Sequence, residues 1–398
     1  MNQKKKIKVL FLSAWYPNRY DAMAGLFVRK HAEAVSLYCD VKVLYVHGDK
    51  HISEIEIVKQ KFNQVEEYIV YFPEKKKGLL RRILKLFSYI KAIRIGFQTI
   101  KKTTGLPDIV HVNILTRSGI LAYWLRKSKN IPYVITEHWT RYLPTRNSFN
   151  GLFRKLLTKI IVRNASSIMP VSEDLKKSMI SHRLFNKNYI VINNVVEDFF
   201  FQQEKNTNHV KRNILHISCF DDNQKNITGL LRGIKELSIL RDDFVVVLVG
   251  TGVDYNKIVK YAEKLNITKD ILHFTGELPP ERVAEKISEC DFFVMFSNHE
   301  NSPVVISESL CCGKPVLSTD VGGISEHVNK ENGILIPAKD EKKLIEKLGY
   351  MVDHYQNYNS KKIKQVAEEK FSYKNVGYII YGIYTKALYN QSKNNFHA

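Results

Sequence analysis

The chain has 398 residues, enough for two domains, each with its own buried core. Hydrophobic residues make up 44% and aromatics 11%, which excludes a disordered chain, and no apolar run approaches the roughly 18–20 residues of a membrane span. The net charge is +21, and nearly all the excess lies early: residues 1–200 carry 35 Lys and Arg against 15 Asp and Glu, residues 201–398 carry 26 against 25. Five cysteines (Cys39, Cys219, Cys290, Cys311 and Cys312) are an odd number without metal-ligand spacing. They point to reduced, structural thiols in a cytoplasmic protein.

The start, MNQKKKIKVLFLSAWYP, has a superficial likeness to a secretion signal. Its apolar core is very short and no small-residue cleavage site follows, so residues 7–12 (IKVLFL) are read as the first buried strand. Further strands are expected at 41–46, 67–72, 108–112, 132–136, 167–171 and 189–192. Helices fit 25–38, 79–102, 116–128, 151–163 and 173–182. Continuously apolar strands separated by helices imply a parallel sheet covered on both faces. The polar stretch FQQEKNTNHVKR (201–212) reads as a linker. The pattern then restarts, with strands expected at 213–218, 244–249, 271–274, 291–296, 315–318 and 333–336. Helices fit near 226–240, 255–265, 303–312 and 340–352, and an aromatic-rich helix fits 373–390. The expected fold class is α/β, with two tandem Rossmann-like doubly wound domains. Their expected boundaries are 1–202 and 203–372, with 373–398 as a final segment.

The basic half has one dense segment. Residues 75–102 carry ten Lys and Arg and no acid. Leu79, Ile83, Leu86, Phe87, Ile90, Ile93, Phe97 and Ile100 recur through it at helical spacing, and Leu80, Leu84 and Ile95 widen the stripe. Residues 138–172 add six basic residues and no acid, with a second amphipathic segment, GLFRKLLTKIIVR (151–163). Three readings compete. The stripe can simply face the core, with the charges solvated. No nucleic-acid recognition module is recognisable, so nucleic-acid binding is disfavoured. Docking on an anionic membrane surface is favoured, because each nearby cation contributes about 1 kcal/mol there.

The block HENSPVVISESLCCGKPVLSTDVGGISEH (299–327) carries the most chemistry. It follows an apolar run, DFFVMFS (291–297), that reads as a buried strand. Asn301 or Ser302 can cap the next helix, and Pro303 suits its first position. The open N–H groups at the start of that helix, near Ser302, Pro303 and Val304, can receive a phosphate. Glu300 and Glu308 flank them and can accept hydrogen bonds from hydroxyls, as an acidic residue does for ribose in dinucleotide folds. A nucleotide carrying a polyol, such as a nucleotide sugar, fits this set. Elsewhere, VVLVGTG (246–252) lacks the third glycine of a dinucleotide fingerprint, since Tyr255 stands there. Gly250 and Gly252 then form a tight turn, and no NAD or FAD is expected. TEHWTRY (136–142) follows a strand end, where ligands gather in open α/β sheets.

Residues 299–327 resemble the donor-site signature of family 4 glycosyltransferases: a Glu, seven residues, a second Glu, then a Gly-x-Pro-Val strand. Glu300 and Glu308 have that spacing, and Gly313, Pro315, Val316, Gly322, Gly323 and Glu326 follow in order. The resemblance extends more weakly over almost the whole chain. It implies the two-domain GT-B fold with an active site in the interdomain cleft, and a last helix that returns to the first domain. It implies that Lys225 and Asn226, before a helix, grip the donor diphosphate. The family's usual Arg after the preceding strand is Cys219 here, a departure. FTGELPPERV (274–283) is similar to the loop that reads the nucleobase, through backbone around Glu277 and Leu278. Gly25 matches the glycine-rich acceptor loop, His138 a histidine near the reacting sugar, and Glu137 is a further acceptor-side candidate.

The expected activity is retaining transfer of a hexose-type sugar from a nucleoside diphosphate sugar to a hydroxyl, with Glu300, His138 and Lys225 in the catalytic roles. The seven-residue gap is not a retaining-glycosidase pair, because both carboxylates belong to one strand–helix junction. No metal is expected: there is no Asp-x-Asp motif, and Asp221–Asp222 lacks its spacing. The basic half points to an acceptor at the inner membrane face, a lipid-linked glycan of surface polysaccharide assembly. A soluble acceptor, a nucleotide-sugar 2-epimerase of the same architecture and a noncatalytic membrane-bound scaffold stay open.

Overall fold

The computed structural model describes residues 6–74, 81–115, 117–144, 146, 148–203 and 210–396. The chain divides into two compact units. One comprises Met1–Val171, Lys176–Val195 and Tyr373–Ala398; the other comprises Ser172–Leu175 and Val196–Ser372.

Among the described residues the first unit has seven strands: β1 Lys8–Ser13, β2 Asp40–Asp49, β3 Glu56–Phe62, β4 Val65–Pro73, β5 Ile109–Asn113, β6 Tyr133–Glu137 and β7 Ser167–Pro170. Their order is β3-β4-β2-β1-β5-β6-β7. Six run parallel, as their continuously apolar sequences require when helices cover both faces. β3 corrects the all-parallel expectation. It is antiparallel to β4 across a two-residue turn with Asn63 at φ 51°. Its sequence, EIVKQKF, is mostly exposed, as suits an edge strand. Residues 189–192 also depart from expectation. They make one bridge, Tyr189 to Ile168, and single backbone bonds rather than a ladder.

The helix Tyr373–Phe396 packs in the first unit against the helix Leu26–Ser36. Val376, Ile380, Ile383 and Tyr384 enter that core. The Tyr384 hydroxyl meets His111 Nδ1 at 2.6 Å, and His111 Nε2 meets Thr136 Oγ1 at 2.6 Å, all fully buried. The helix Arg81–Thr104 corrects the continuous stripe. Ala92, Ile93, Phe97 and Ile100 are buried, but Leu84, Leu86, Phe87 and Ile90 are exposed, Phe87 by 66%. Leu79 and Leu80 lie outside the described residues.

Among the described residues the second unit has six strands, all paired in parallel: β8 Arg212–Ile217, β9 Phe244–Val249, β10 Leu272–Gly276, β11 Phe292–Met295, β12 Val316–Thr319 and β13 Gly333–Ile336. Their order is β10-β9-β8-β11-β12-β13. Neighbouring residues serve opposite faces. Ile214 and Phe292 join one apolar cluster, Leu215 and Phe293 the other. Burying each such side chain contributes roughly 1.5–3 kcal/mol. In both sheets the strand order reverses beside the first strand of the unit, between β1 and β5 and between β8 and β11. In open α/β sheets, ligands bind outside the strand ends at such reversals.

Candidate active site

The reversal in the second unit brings together residues 75 positions apart. After β8 the chain makes one helical turn, Asp222–Lys225, capped by the Asp221 carboxylate accepting the Gln224 N–H. Asn226 then takes a left-handed conformation (φ 49°), and the helix Ile227–Leu240 begins. Asp222 fixes that start by accepting the N–H and the hydroxyl of Thr228. After β11, the N–H groups of Asn298 and His299 donate to the Gln224 carbonyl. The two loops are thereby clamped, and Lys225 Nζ lies 2.6 Å from Glu300 Oε1. The Ser297 hydroxyl donates to the same oxygen at 2.8 Å. The Glu300 side chain is 7% exposed and that of Lys225 is 16%. Behind the pair His216 is buried, its ring bridging the Val294 carbonyl and the Ser218 hydroxyl. Burial, opposed by the bond to Val294 and aided by Lys225, pushes the His216 imidazole down to about 4.

Two glycines hold Glu300 from the other side. Gly322 has φ +58°, and a Cβ there would overlap the Glu300 carbonyl. The Gly323 N–H donates to the Asn301 carbonyl at 2.8 Å. The helix after this loop is Val304–Cys311, with Pro303 as its N-cap and no side-chain cap. Two expectations are corrected here. Pro303 precedes the helix instead of opening it, and neither Asn301 nor Ser302 caps it. Asn301 instead accepts the Ser172 hydroxyl at 2.9 Å. Among the described residues no side chain caps this helix start, whose N–H groups begin at Val304, and such a start can receive an anion. Glu308 is half-buried on the second turn of that helix.

Gly250 and Gly252 sit where backbones meet. Gly250 has φ +129° and lies on the Ser218 carbonyl, and Gly252 packs on the backbone of Phe220. The Gly250 N–H donates to the Gly276 carbonyl at 2.8 Å. The loops after β8, β9 and β10 are therefore one layer, with Cys219 exposed in it. Glu277 is exposed beyond β10, and Leu278 packs against the core. Within residues 218–226 Lys225 is the single cation, so no basic side chain of this loop takes the place of the Arg that Cys219 displaces.

In the first unit the strand ends gather differently. Glu137 closes β6 and is fully buried. Its carboxylate accepts the N–H groups of Leu115, His138 and Trp139. Burial raises its pKa, and those three bonds with the Arg141 charge pull it back. Glu137 thus ties together the loops after β5 and β6. His138 is 9% exposed, its ring 4.4 Å from Phe27 and 5.3 Å from His31. Burial, then the neighbouring His31 and His111, push its imidazole well below the usual range, so it is neutral. Gly25 has φ +63°, and a Cβ there would overlap the Trp15 carbonyl. Its role is to let the loop after β1 fold onto the start of the helix Leu26–Ser36. A cavity of about 1130 Å³ opens over these strand ends, lined by Trp15, Tyr20, Lys50, Arg117, Trp139 and Phe153 among others. The Trp15 and Trp139 rings lie 5.0 Å apart, and the Arg141 guanidinium covers Trp139.

Ser297, Gln224, Asp222 and the tryptophan pair were missed from sequence. The GG turn was visible as a motif, but its contact with Glu300 was not. Among the described residues, no three His, Cys, Asp or Glu side chains form a metal-ligand group.

Residues 198–369 match the family model described as Glycosyl transferases group 1, and residues 31–198 match Glycosyltransferase Family 4. The putative teichuronic acid biosynthesis glycosyltransferase TuaC of Bacillus subtilis is 25% identical, over 85% of this chain and 88% of its own. The N-acetylgalactosamine-N,N'-diacetylbacillosaminyl-diphospho-undecaprenol 4-alpha-N-acetylgalactosaminyltransferase of Campylobacter jejuni is 22% identical, over 73% and 79%. Among solved structures, Alr3699/HepE of Anabaena in complex with UDP superposes with a TM-score of 0.70 at 16% identity, covering 96% of this chain and 100% of that one.

Proposed function

Because the chain belongs to the family 4 glycosyltransferases of GT-B fold, enzymes that use nucleotide sugars, we propose that it is a retaining hexosyltransferase acting on a lipid-linked glycan in surface polysaccharide assembly. The observation that carries this reading is the Lys225–Glu300 pair at the strand-order reversal. Departure of the sugar leaves negative charge on the diphosphate while the ring gains positive charge. Lys225, the helix start at Asn226 and the open N–H groups near Ser302, Pro303 and Val304 would stabilise the first. Glu300 would hold sugar hydroxyls and favour the second. Glu308 would take the ribose hydroxyls, and the layer containing Gly250, Glu277 and Leu278 would meet the base. His138 would orient the reacting sugar or the acceptor. Gly25 and Glu137 would act by shaping the acceptor loops.

The acceptor side is supported by the cavity over β1, β5 and β6, which mixes Trp15, Trp139 and Phe153 with Lys50 and Arg117. Peripheral attachment to an anionic membrane face is supported by the exposed Leu86, Phe87, Ile90, Leu152, Phe153 and Leu156, set in acid-free basic segments. Among the described residues, no helix is long and apolar enough to cross a membrane.

Thermal unfolding with UDP, GDP, ADP, dTDP and CMP in turn is the first test. A nucleotide at 100 times its dissociation constant adds about 2.7 kcal/mol, so one member should raise the melting temperature selectively. Its hexose conjugates are then offered with membrane extract, and the anomeric configuration of the product is read by NMR. No shift from any nucleotide would sink the donor reading, and an inverted product would sink the retaining one. Vesicle flotation tests the membrane reading: anionic vesicles should bind, and salt should weaken them.

A further inference from the structure

At the opposite edge of the first sheet, where β6 and β7 begin, lies a cavity of about 850 Å³ that the transfer chemistry does not use. Arg126, Lys159, Arg163, Arg183 and Lys187 line it, and no Asp or Glu does. Among the described residues none of the five has an ion-pair partner.

Helix ends explain part of this clustering. The helices Ser118–Lys129, Leu152–Asn164 and Glu173–Ser181 all terminate near the cavity. Each C-terminus carries about half a negative charge, so three offset about 1.5 of the five positive charges. Their carbonyls are also partly served by neutral groups. The Asn186 amide donates to the Val162 and Ala165 carbonyls, and the Asn188 amide to that of Ser166. A large positive excess is left facing an open concavity.

The rest of the wall defines the ligand. Phe185 stands 61% exposed in it, and Asn390 and Gln391 reach it from the last helix. The Gln391 amide donates to the Asn130 carbonyl, which leaves its oxygen free to accept. A sugar ring packs its apolar face on an aromatic ring, its hydroxyls bond to amides, and carboxylate or phosphate substituents take guanidinium groups in bidentate fashion. A membrane surface fits less well. It needs several protruding apolar side chains, and the clustered ones, Leu86 and Phe153 among them, line the other cavity instead.

We propose that this cavity is a second carbohydrate site, which binds an oligosaccharide bearing carboxylate or phosphate groups away from the transfer site. The proposal needs no assumption about donor or reaction, so it stands or falls separately.

The test is calorimetric titration of the full chain with trigalacturonate as probe and neutral galactotriose as control. The variant Arg163→Gln/Arg183→Gln/Lys187→Gln removes three exposed cations. Trigalacturonate should bind the native chain and bind the variant at least about tenfold more weakly, the loss of roughly one charge-assisted hydrogen bond or more. Hydrogen exchange on the native chain gives a reading that needs no variant: protection should rise at residues 183–188. Equal binding to the variant, equal binding of galactotriose, no binding at millimolar probe, or protection elsewhere would overturn the proposal. So would a variant that loses anionic-vesicle binding but keeps trigalacturonate, which would assign the cavity to lipid.

Discussion

A carboxylate as enclosed as Glu300, with one ammonium 2.6 Å away, depends on that partner. Removing one member of a buried pair leaves an uncompensated charge, at a cost of about 3–5 kcal/mol. Lys225→Ala should therefore lower stability by about that amount in urea titrations and weaken nucleotide binding as well. Glu300→Gln keeps a neutral acceptor for the Ser297 hydroxyl. It should abolish transfer while nucleotide affinity falls only modestly, and near-normal turnover would refute the assigned role. The buried histidines give a different signature. His31 in the first unit and His216 in the second are fully buried, and burial pushes both down to about 4. The unfolded chain protonates them near 6.5, so below that pH it binds more protons than the folded chain. Stability present above pH 6.5 is lost as pH falls to about 4, by about 1.4 kcal/mol per pH unit for each group. Urea midpoints at pH 7.5 and 5.0 check this, and equal midpoints would contradict it.

Among elements, the glycine pair after β12 sets the position of the loop after β11. A Cβ at Gly322 would meet the Glu300 carbonyl, and its φ of +58° disfavours any side chain. Gly322→Ala should cost about 1–3 kcal/mol. It should also lower turnover by at least about tenfold, since small displacements of a reacting group are amplified in rate. Normal turnover with normal stability would show that the turn does not fix Glu300. Strands buried on both faces were legible because their apolar runs are unbroken. β3 was not, because EIVKQKF is a solvated edge without period-two burial. The helix Pro280–Glu289 was hidden by the preceding Pro279, which reads as a loop, although Pro280 only opens the helix. Residues 189–192 misled because an apolar tetrapeptide can be buried beside a strand without joining its ladder. In the site, charged residues at strand ends could be found. Contacts that cross the chain, such as the Gln224 carbonyl with Asn298 and His299, leave no local trace. Glu137, a carboxylate at a strand end, also anchors three backbone N–H groups, a contact set that its local sequence does not signal.

At the scale of the whole molecule, the charge asymmetry and the restart of the strand pattern already announced two units. The sequence did not reveal how much of the first unit's core comes from the end of the chain. Val376, Ile380, Ile383 and Tyr384 are buried with Val28, Val35 and Ile109. Ending the chain after Ser372 should expose that surface, deprive His111 of the Tyr384 hydroxyl, and leave the second unit's strands untouched. The truncated protein should lose the unfolding transition of the first unit and retain that of the second, seen as one calorimetric peak where the full chain gives more. Two unchanged transitions would show that the last helix is dispensable.

The same helix dictates an order of events during synthesis. The segment from Val196 to Ser372 emerges nearly whole and can close while the ribosome is still attached. The first unit, though translated earlier, must wait with an open flank until the helix Tyr373–Phe396 is translated and clears the exit tunnel. A frameshift or stop ahead of Tyr373 is therefore a defect of the first unit, and its basic, apolar-edged portion is the part left unsheltered longest.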